Sequence, residues 1–402
     1  MTDPAKAGSR PGRLRFEGGE GRAVAALAAI YGIRMLGLFI MFPVLVLYGR
    51  SLPGGSAALA GLAIGAYGLA QAVLQIPFGI LSDRLGRRPV IALGLGLFAL
   101  GSLLGAAAGS IGAVILARVV QGSGAVSGPV TALLADLTRP AIRTRAMALI
   151  GISIGGAFIL ALVAAPLLAA SIGVPGIFLV TAALAGFALI VLYAVVPTPP
   201  GGAVPARARG PLAPALDRSL WPHYFGIFAL SAALSATFFA APLALHDYLG
   251  IEAGRHWRTY LGVFLASIPP TALLVLASER SRAPDRIMRA GIAVLVVALA
   301  ASASVLHDYA GLAVTLAIFF TAFNYLEARL PARLSQAAEP SVRGAALSVF
   351  ATAQFLGSFA GAALGGPLSS SALGLGGVFI GVAVLSLAWF FVARTAPRNS
   401  GD

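Results

Sequence analysis

The chain has 402 residues and no cysteine, so disulfides and thiolate metal sites are excluded. Charge is scarce. Asp, Glu, Lys and Arg make up 10% of the residues, against about 25% in a soluble domain. The four histidines, His223, His246, His256 and His307, lack metal-ligand spacing, so no metal site is expected. No HExxH helix, nucleophile–base pair or nucleotide-binding loop occurs, so neither an enzyme nor a cofactor is expected. The long segments are continuously apolar rather than alternating, which argues against a β-barrel.

What the chain has is apolar length. It is 58% hydrophobic, with a mean hydropathy of +0.91. Runs of about 20 residues recur, each long enough to cross a bilayer core of roughly 30 Å. Twelve spans are expected, at residues 22–48, 57–82, 90–108, 111–138, 144–170, 176–196, 223–245, 258–278, 287–305, 310–336, 344–369 and 373–394. The fold class is therefore an all-α polytopic membrane protein. The 49 glycines and 25 prolines fit closely packed, bendable membrane helices.

The net charge of +14 does not imply a nucleic-acid partner. Only Arg50, Arg255 and Arg258 fall on one side of the expected membrane, and Arg34 and Arg118 lie within spans. The other Lys and Arg residues lie on the opposite side, which the positive-inside rule makes the cytoplasmic one, with both termini. The first apolar segment is too long for a signal peptide and reads as a retained helix. A bacterial inner membrane is the simplest location.

The spans divide six and six. Residues 197–222 hold seven prolines, among them Pro199, Pro200 and Pro205, with Arg207, Arg209 and Arg218. They read as a cytoplasmic linker between two bundles, 22–196 and 223–394. Tails at 1–21 and 395–402 complete the expected organisation, which leaves no room for a soluble carboxy-terminal domain.

Between the second and third spans lies Gly79-Ile80-Leu81-Ser82-Asp83-Arg84-Leu85-Gly86-Arg87-Arg88. The spacing G-x-L-x-D-R-x-G-R-R resembles the signature loop of the major facilitator superfamily of secondary transporters. A second stretch, Arg118-Val119-Val120-Gln121-Gly122, resembles the R-x-x-Q-G motif on the fourth helix of proton-coupled members. Arg34-Met35-Leu36-Gly37, Gln75-Ile76-Pro77-Phe78, Phe323-Asn324-Tyr325-Leu326-Glu327-Ala328 and Gln354-Phe355-Leu356-Gly357 extend the resemblance to the YajR-type branch of the drug:proton antiporters. The glycines and proline of the fifth span (Gly151, Gly155, Gly156, Pro166) match the antiporter motif only loosely.

The resemblance implies the major facilitator fold, with two pseudo-symmetric six-helix bundles, and a carrier working by alternating access. It also implies export of a small molecule, driven by the proton gradient. Uptake of a metabolite and a non-transporting receptor or scaffold are the alternatives. Expected partners are the solute, protons and membrane lipid, with a monomer as the default.

The resemblance further implies a conformational latch of Gly79, Asp83, Arg84, Gly86, Arg87, Arg88 and Asp136. There Asp83 would meet the amino-terminal end of the eleventh span near Gly344, and Asp136 a loop arginine. Glu327 is the one acidic residue expected within the bundle. Burial favours the neutral acid and a facing arginine favours the carboxylate, so alternation between the two could couple protons. Glu327 reads either as a proton carrier, with Arg34 or Arg118 as conditional partner, or as half of a static pair with Arg329 or Arg333. Superfamily cavities are lined by the first, fourth, seventh and tenth helices. That maps here to Tyr31, Arg34, Leu38, Met41, Gln121, Ser231, Ser235, Phe238, Phe320 and Asn324, a surface suited to amphipathic or hydrophobic solutes. Stripes at Tyr67, Gln71 and Gln75 and at Gln354, Ser358, Gly361 and Gly365 are expected to form a sliding interface between the halves.

Overall fold

The computed structural model describes residues 16, 19–198, 212–339 and 341–395. Most of the expected tails and the centre of the linker lie outside the described residues. Every regular element among the described residues is helical. The first half comprises α1 (Glu20–Phe39), α2 (Leu45–Ser51), α3 (Ala57–Leu85), α4 (Arg87–Ala106), α5 (Ile111–Ser123), α6 (Ser127–Asp136) and α7 (Pro140–Ala194). A short α8 (Leu212–Ala215) precedes the second half. That half comprises α9 (Trp221–Leu243), α10 (His256–Arg280), α11 (Pro284–Ser304), α12 (Tyr309–Ala337), α13 (Arg343–Ser369) and α14 (Gly374–Thr395).

Helix α7 is continuous by hydrogen bonding over 55 residues. At 1.5 Å per residue that is roughly 80 Å, more than twice a bilayer core. It is two spans. Gly173, at φ 70° and ψ 172°, breaks it, a conformation open to glycine and costly to other residues. Among the described residues, eleven helical segments are long and apolar enough to cross a membrane, and the break at Gly173 makes them twelve. Two of the expected spans are interrupted. The first is α1 and α2 with a turn at 40–44, and the fourth is α5 and α6 with a break at 124–126. The lipid-facing surface is apolar. Ile152, Leu179, Ile190, Leu273, Val297 and Val384 are each more than half exposed, which suits hydrocarbon and would be costly in water.

Side-chain caps start several helices. Ser56 and Ser110 accept from Leu59 N and Ala113 N. Asp308 accepts from Ala310 N and Gly311 N at 3.1 and 3.0 Å. These oxygens satisfy amides that no preceding turn can reach.

The halves meet most tightly at the end opposite the signature loop, the far end. A Cβ built on Gly65 would lie 2.9 Å from Phe359 O, and one on Gly68 2.9 Å from Phe355 O. Gly61 lies so close to the Ala362 carbonyl, and Gly366 to Ala58, that a side chain would collide. Small residues thus let α3 and α13 approach backbone to backbone. Nearby, Arg50 of α2 donates to Asp247 Oδ2 at 2.6 Å, joining the halves. Asp247 stands on a π-helical turn, Ala244–Tyr248, that continues α9.

This interface corrects the expected stripes. Tyr67 and Gln71 turn into the first half, where Gln71 accepts from Arg34. Ser358 bonds Ser235 of α9 at 2.7 Å, and Gly361 and Gly365 pack on Ala232 and Phe239 of the same helix. The reason is geometric: a helix has one face per neighbour. On α3 the glycines at 61, 65 and 68 own the face towards α13, and the polar stripe lies beside it.

Candidate functional site

The signature loop forms the α3–α4 turn. Gly86 sits at φ 93° and ψ 155°, a region that is nearly glycine-only. This turn lets Arg87 and Arg88 start α4 directly after α3 ends. Arg87 donates to Asp83 and, at 3.0 Å, to Ser82 Oγ; its Nε reaches Asp136 Oδ2 at 3.4 Å. Arg87 therefore ties α3 to α6 between two carboxylates. Arg88 donates to Thr198 and to the carbonyls of Leu192 and Tyr193, and lies over the Tyr193 ring. A cation there meets the negative end of α7 and its unpaired carbonyls. Arg84 is exposed.

The expected approach of Asp83 to the start of α13 is not made. Arg343 and Gly344 are exposed, and nothing lies within 4 Å of a Cβ built on Gly344. With the far end closed, α13 is drawn to α3 there rather than beside the loop.

Arg34 and Arg118 are buried inside the first half, at 1% and 0% exposure. Arg34 Nε and Nη2 donate to Gly124 O at 2.9 and 2.6 Å, and Nη2 also to Gln71 Oε1 at 2.5 Å. The break between α5 and α6 is what frees the Gly124 carbonyl. Arg118 donates to Gln121, which in turn donates to Ser102 Oγ at 2.8 Å. Both guanidiniums face the ring of Tyr67, at 5.6 and 4.6 Å from its centroid.

Glu327 lies in the second half, on the loop-side part of α12. Gln354 Nε2 of α13 donates to its Oε1 at 2.8 Å, and Oε2 is buried without a partner. Neither expected pairing is made. Arg34 and Arg118 are held by their own half, and Arg333 is paired with Asp285 at the end of the helix. Arg329 makes no pair with Glu327 either, and its Nε is buried without an acceptor. One turn above, Asn324 donates to Ser267 Oγ at 3.4 Å.

Between Glu327 and the far end the two halves share an aromatic cluster. Phe158 of α7 meets Phe39 of α1 at 5.0 Å, Phe264 of α10 at 5.7 Å, Phe238 of α9 at 6.0 Å and Phe320 of α12 at 6.2 Å. Phe238 also meets Phe42 and Tyr260. Offset and edge-on rings at these separations attract one another beyond their burial.

Of the expected cavity residues, Phe238 and Phe320 belong to this cluster, and Leu38 and Met41 are buried among the apolar core beside it. Tyr31 is half-buried. Gln121 and Ser235 are fully buried and make hydrogen bonds within one half. Sequence reasoning missed Phe158 and Phe264, which stand in spans not assigned to the cavity. It also missed Gln354 as the partner of Glu327, and the Arg50–Asp247 bridge. The segment Gly122 to Pro129, dense in helix breakers, carries a signal for the opened carbonyl at Gly124.

The Major Facilitator Superfamily model matches residues 27–326. The chain belongs to that superfamily. It is 39% identical over 381 residues to the inner membrane transport protein YajR of Escherichia coli, covering 94% of this chain and 84% of that one. An uncharacterized transporter of Buchnera aphidicola is 33% identical over 84% of this chain and 87% of its own. Among solved structures, a bacterial homologue of the human lysosomal transporter Spinster superposes with a TM-score of 0.79 at 16% identity. It covers 96% of this chain and all of that one. The D-xylose-proton symporter gives 0.75 at 17% identity, over 95% and 99% of the two chains. These likenesses show the fold: twelve membrane helices in two six-helix halves. The protein is a multi-pass member of a superfamily of transporters.

Proposed function

We propose that this protein is a proton-coupled exporter of amphipathic or hydrophobic small molecules in a bacterial inner membrane. The loop end faces the cytoplasm, in keeping with its basic flanks. The YajR protein of Escherichia coli, similar over most of the chain, is described as an inner membrane transport protein. In this reading the structure is the state closed towards the periplasm. The aromatic cluster and the α3–α13 contact form the barrier.

The observation that carries the reading is the environment of Glu327. It is a carboxylic acid well inside the membrane, with one oxygen held by Gln354 and the other unpartnered. Intramembrane acids of this kind are costly and mark ion pathways. Its position just on the loop side of the aromatic barrier supports a proton site next to the solute. Solute binding and proton release can then compete for one space as the halves rock. Asp83, Arg87 and Asp136 stiffen the loop end of the first half so that it moves as a body.

Direction is tested in inside-out vesicles holding an acid-inside gradient, with lipophilic cations, neutral compounds and weak acids added in turn. Export predicts that at least one compound accumulates inside while the gradient falls. Depletion of a compound from the vesicle interior as protons leave would instead establish uptake symport in the cell. No compound-dependent proton movement across the panel would refute the coupling.

A further inference from the structure

The first half buries two cations, Arg34 and Arg118, that pair with no carboxylate among the described residues. Arg34 Nη1, Arg118 Nε and Arg118 Nη2 have no acceptor, and the Tyr67 hydroxyl has no partner. All the acceptors they do have are neutral: the Gly124 carbonyl and the amides of Gln71 and Gln121. Glu327 bonds Gln354 in the other half, and Asp83 and Asp136 pair with Arg87 at the loop end. Leaving a buried charge unpaired costs several kcal/mol in general, more than an unmade neutral hydrogen bond. Cation–π contact with Tyr67 and Phe98 offsets part of this for Arg34, as does contact with Tyr67 for Arg118. Neither ring accepts the free N–H groups in the plane of the guanidinium.

Three guanidinium nitrogens and one hydroxyl, all without a partner and all belonging to Tyr67 or to a cation beside its ring, match the several lone pairs of a carboxylate, sulfonate or phosphate group. The apolar cluster lies close by. Tyr67 and Phe98, the rings beside Arg34, belong to the same buried cluster as Phe158, Phe238 and Phe320, and Phe39 packs against it. Phe39 packs on Phe158, and through it on Phe238 and Phe320. We propose that Arg34, Arg118 and Tyr67 bind the anionic headgroup of an amphipathic solute whose apolar body lies against the aromatic cluster. The inference deepens the transport reading above and rests on it for the word solute. It departs from a preference for lipophilic cations, which two buried guanidiniums would repel.

The test uses the full chain in lipid nanodiscs and three matched probes: dansyl-undecanoic acid, its primary amide, and the corresponding dansyl alkylammonium. Energy transfer from the three tryptophans, Trp221, Trp257 and Trp389, reports binding, with empty nanodiscs subtracted. The wild type is expected to bind the carboxylate about tenfold or more tighter than the amide, the size of one charge-assisted hydrogen bond. The ammonium should bind weakest. Arg34→Gln and Arg118→Gln should each erase most of that preference, and Arg118→Lys should keep much of it. Equal binding of acid and amide by the wild type, tightest binding of the ammonium, or no saturable binding of the acid would each overturn the proposal, whatever the variants do. The readout needs no gradient. Failure of proton-linked export in vesicles would therefore leave an anion preference standing, and its absence would leave export of neutral or cationic compounds standing.

Discussion

Gly61 offers a direct probe of the closed far end. Its Cα faces the Ala362 carbonyl of α13 so closely that a methyl group would collide with backbone. A backbone carbonyl within a helix cannot swing aside as a long side chain can. Overpacking by one methyl costs about 1–3 kcal/mol. The contact joins the two halves, so the penalty falls on the far-closed state and is relieved when α3 and α13 separate there. Gly61→Ala should therefore move the closed-to-open ratio by about 5- to 150-fold towards opening. The chain has no cysteine, so spin labels can be placed singly without removing native thiols. Ala107 and Ala372 are exposed at the far end on opposite halves, and Cys at both positions would report their separation by double electron–electron resonance. The expected result is a longer distance population in Gly61→Ala. Gly361→Ala is the control. Gly361 meets the Ala232 carbonyl of α9 within the same half, so a methyl there should lower thermal stability and leave the distance unchanged. An unaltered distance distribution in well-folded Gly61→Ala would refute the reasoning.

Three further outcomes follow from the same geometry. Arg50→Gln should open the far end more weakly, because its pair with Asp247 has side chains 39% and 31% exposed. Such a pair is worth about 0.2–1 kcal/mol, and raising salt should mimic the variant in the same distance measurement. Gly86→Ala should destabilise the loop end by about 1–3 kcal/mol, because φ 93° with ψ 155° suits glycine alone. A lower melting temperature of the purified protein would show it. Phe238→Ala removes a ring that is 1% exposed and touches four others. It should cost about 3–5 kcal/mol of stability and weaken dansyl-probe binding in nanodiscs.

Much of the architecture was legible because a bilayer leaves few solutions. Backbone groups must bond within each segment, so apolar length alone marks the helices. Gly86 and its charged neighbours mark the loop, and the positions of Arg87 and Asp136 at adjoining helix ends foreshadow their contact. The pairings inside the membrane were not legible. Glu327 could have met any of four arginines by composition. Its actual neighbour is set by how α12 and α13 rotate against each other, and that rotation depends on small residues such as Gly357 and Gly361 packing on α9. Likewise Arg34 found a carbonyl, Gly124 O, that exists as an acceptor only because the fourth span breaks. Phe158 and Phe264 were missed because aromatic residues in any span look alike until the two halves are brought together.

The most direct measurement of the coupling role of Glu327 is proton movement by purified protein in proteoliposomes, wild type against Glu327→Gln, with a transported compound added on one side. Wild type should move protons only when the compound is present. The variant should still exchange the compound down its gradient and should neither move protons nor concentrate the compound against a pH gradient. A variant that folds, moves protons and concentrates the compound as the wild type does would contradict the assignment of Glu327 as the proton carrier.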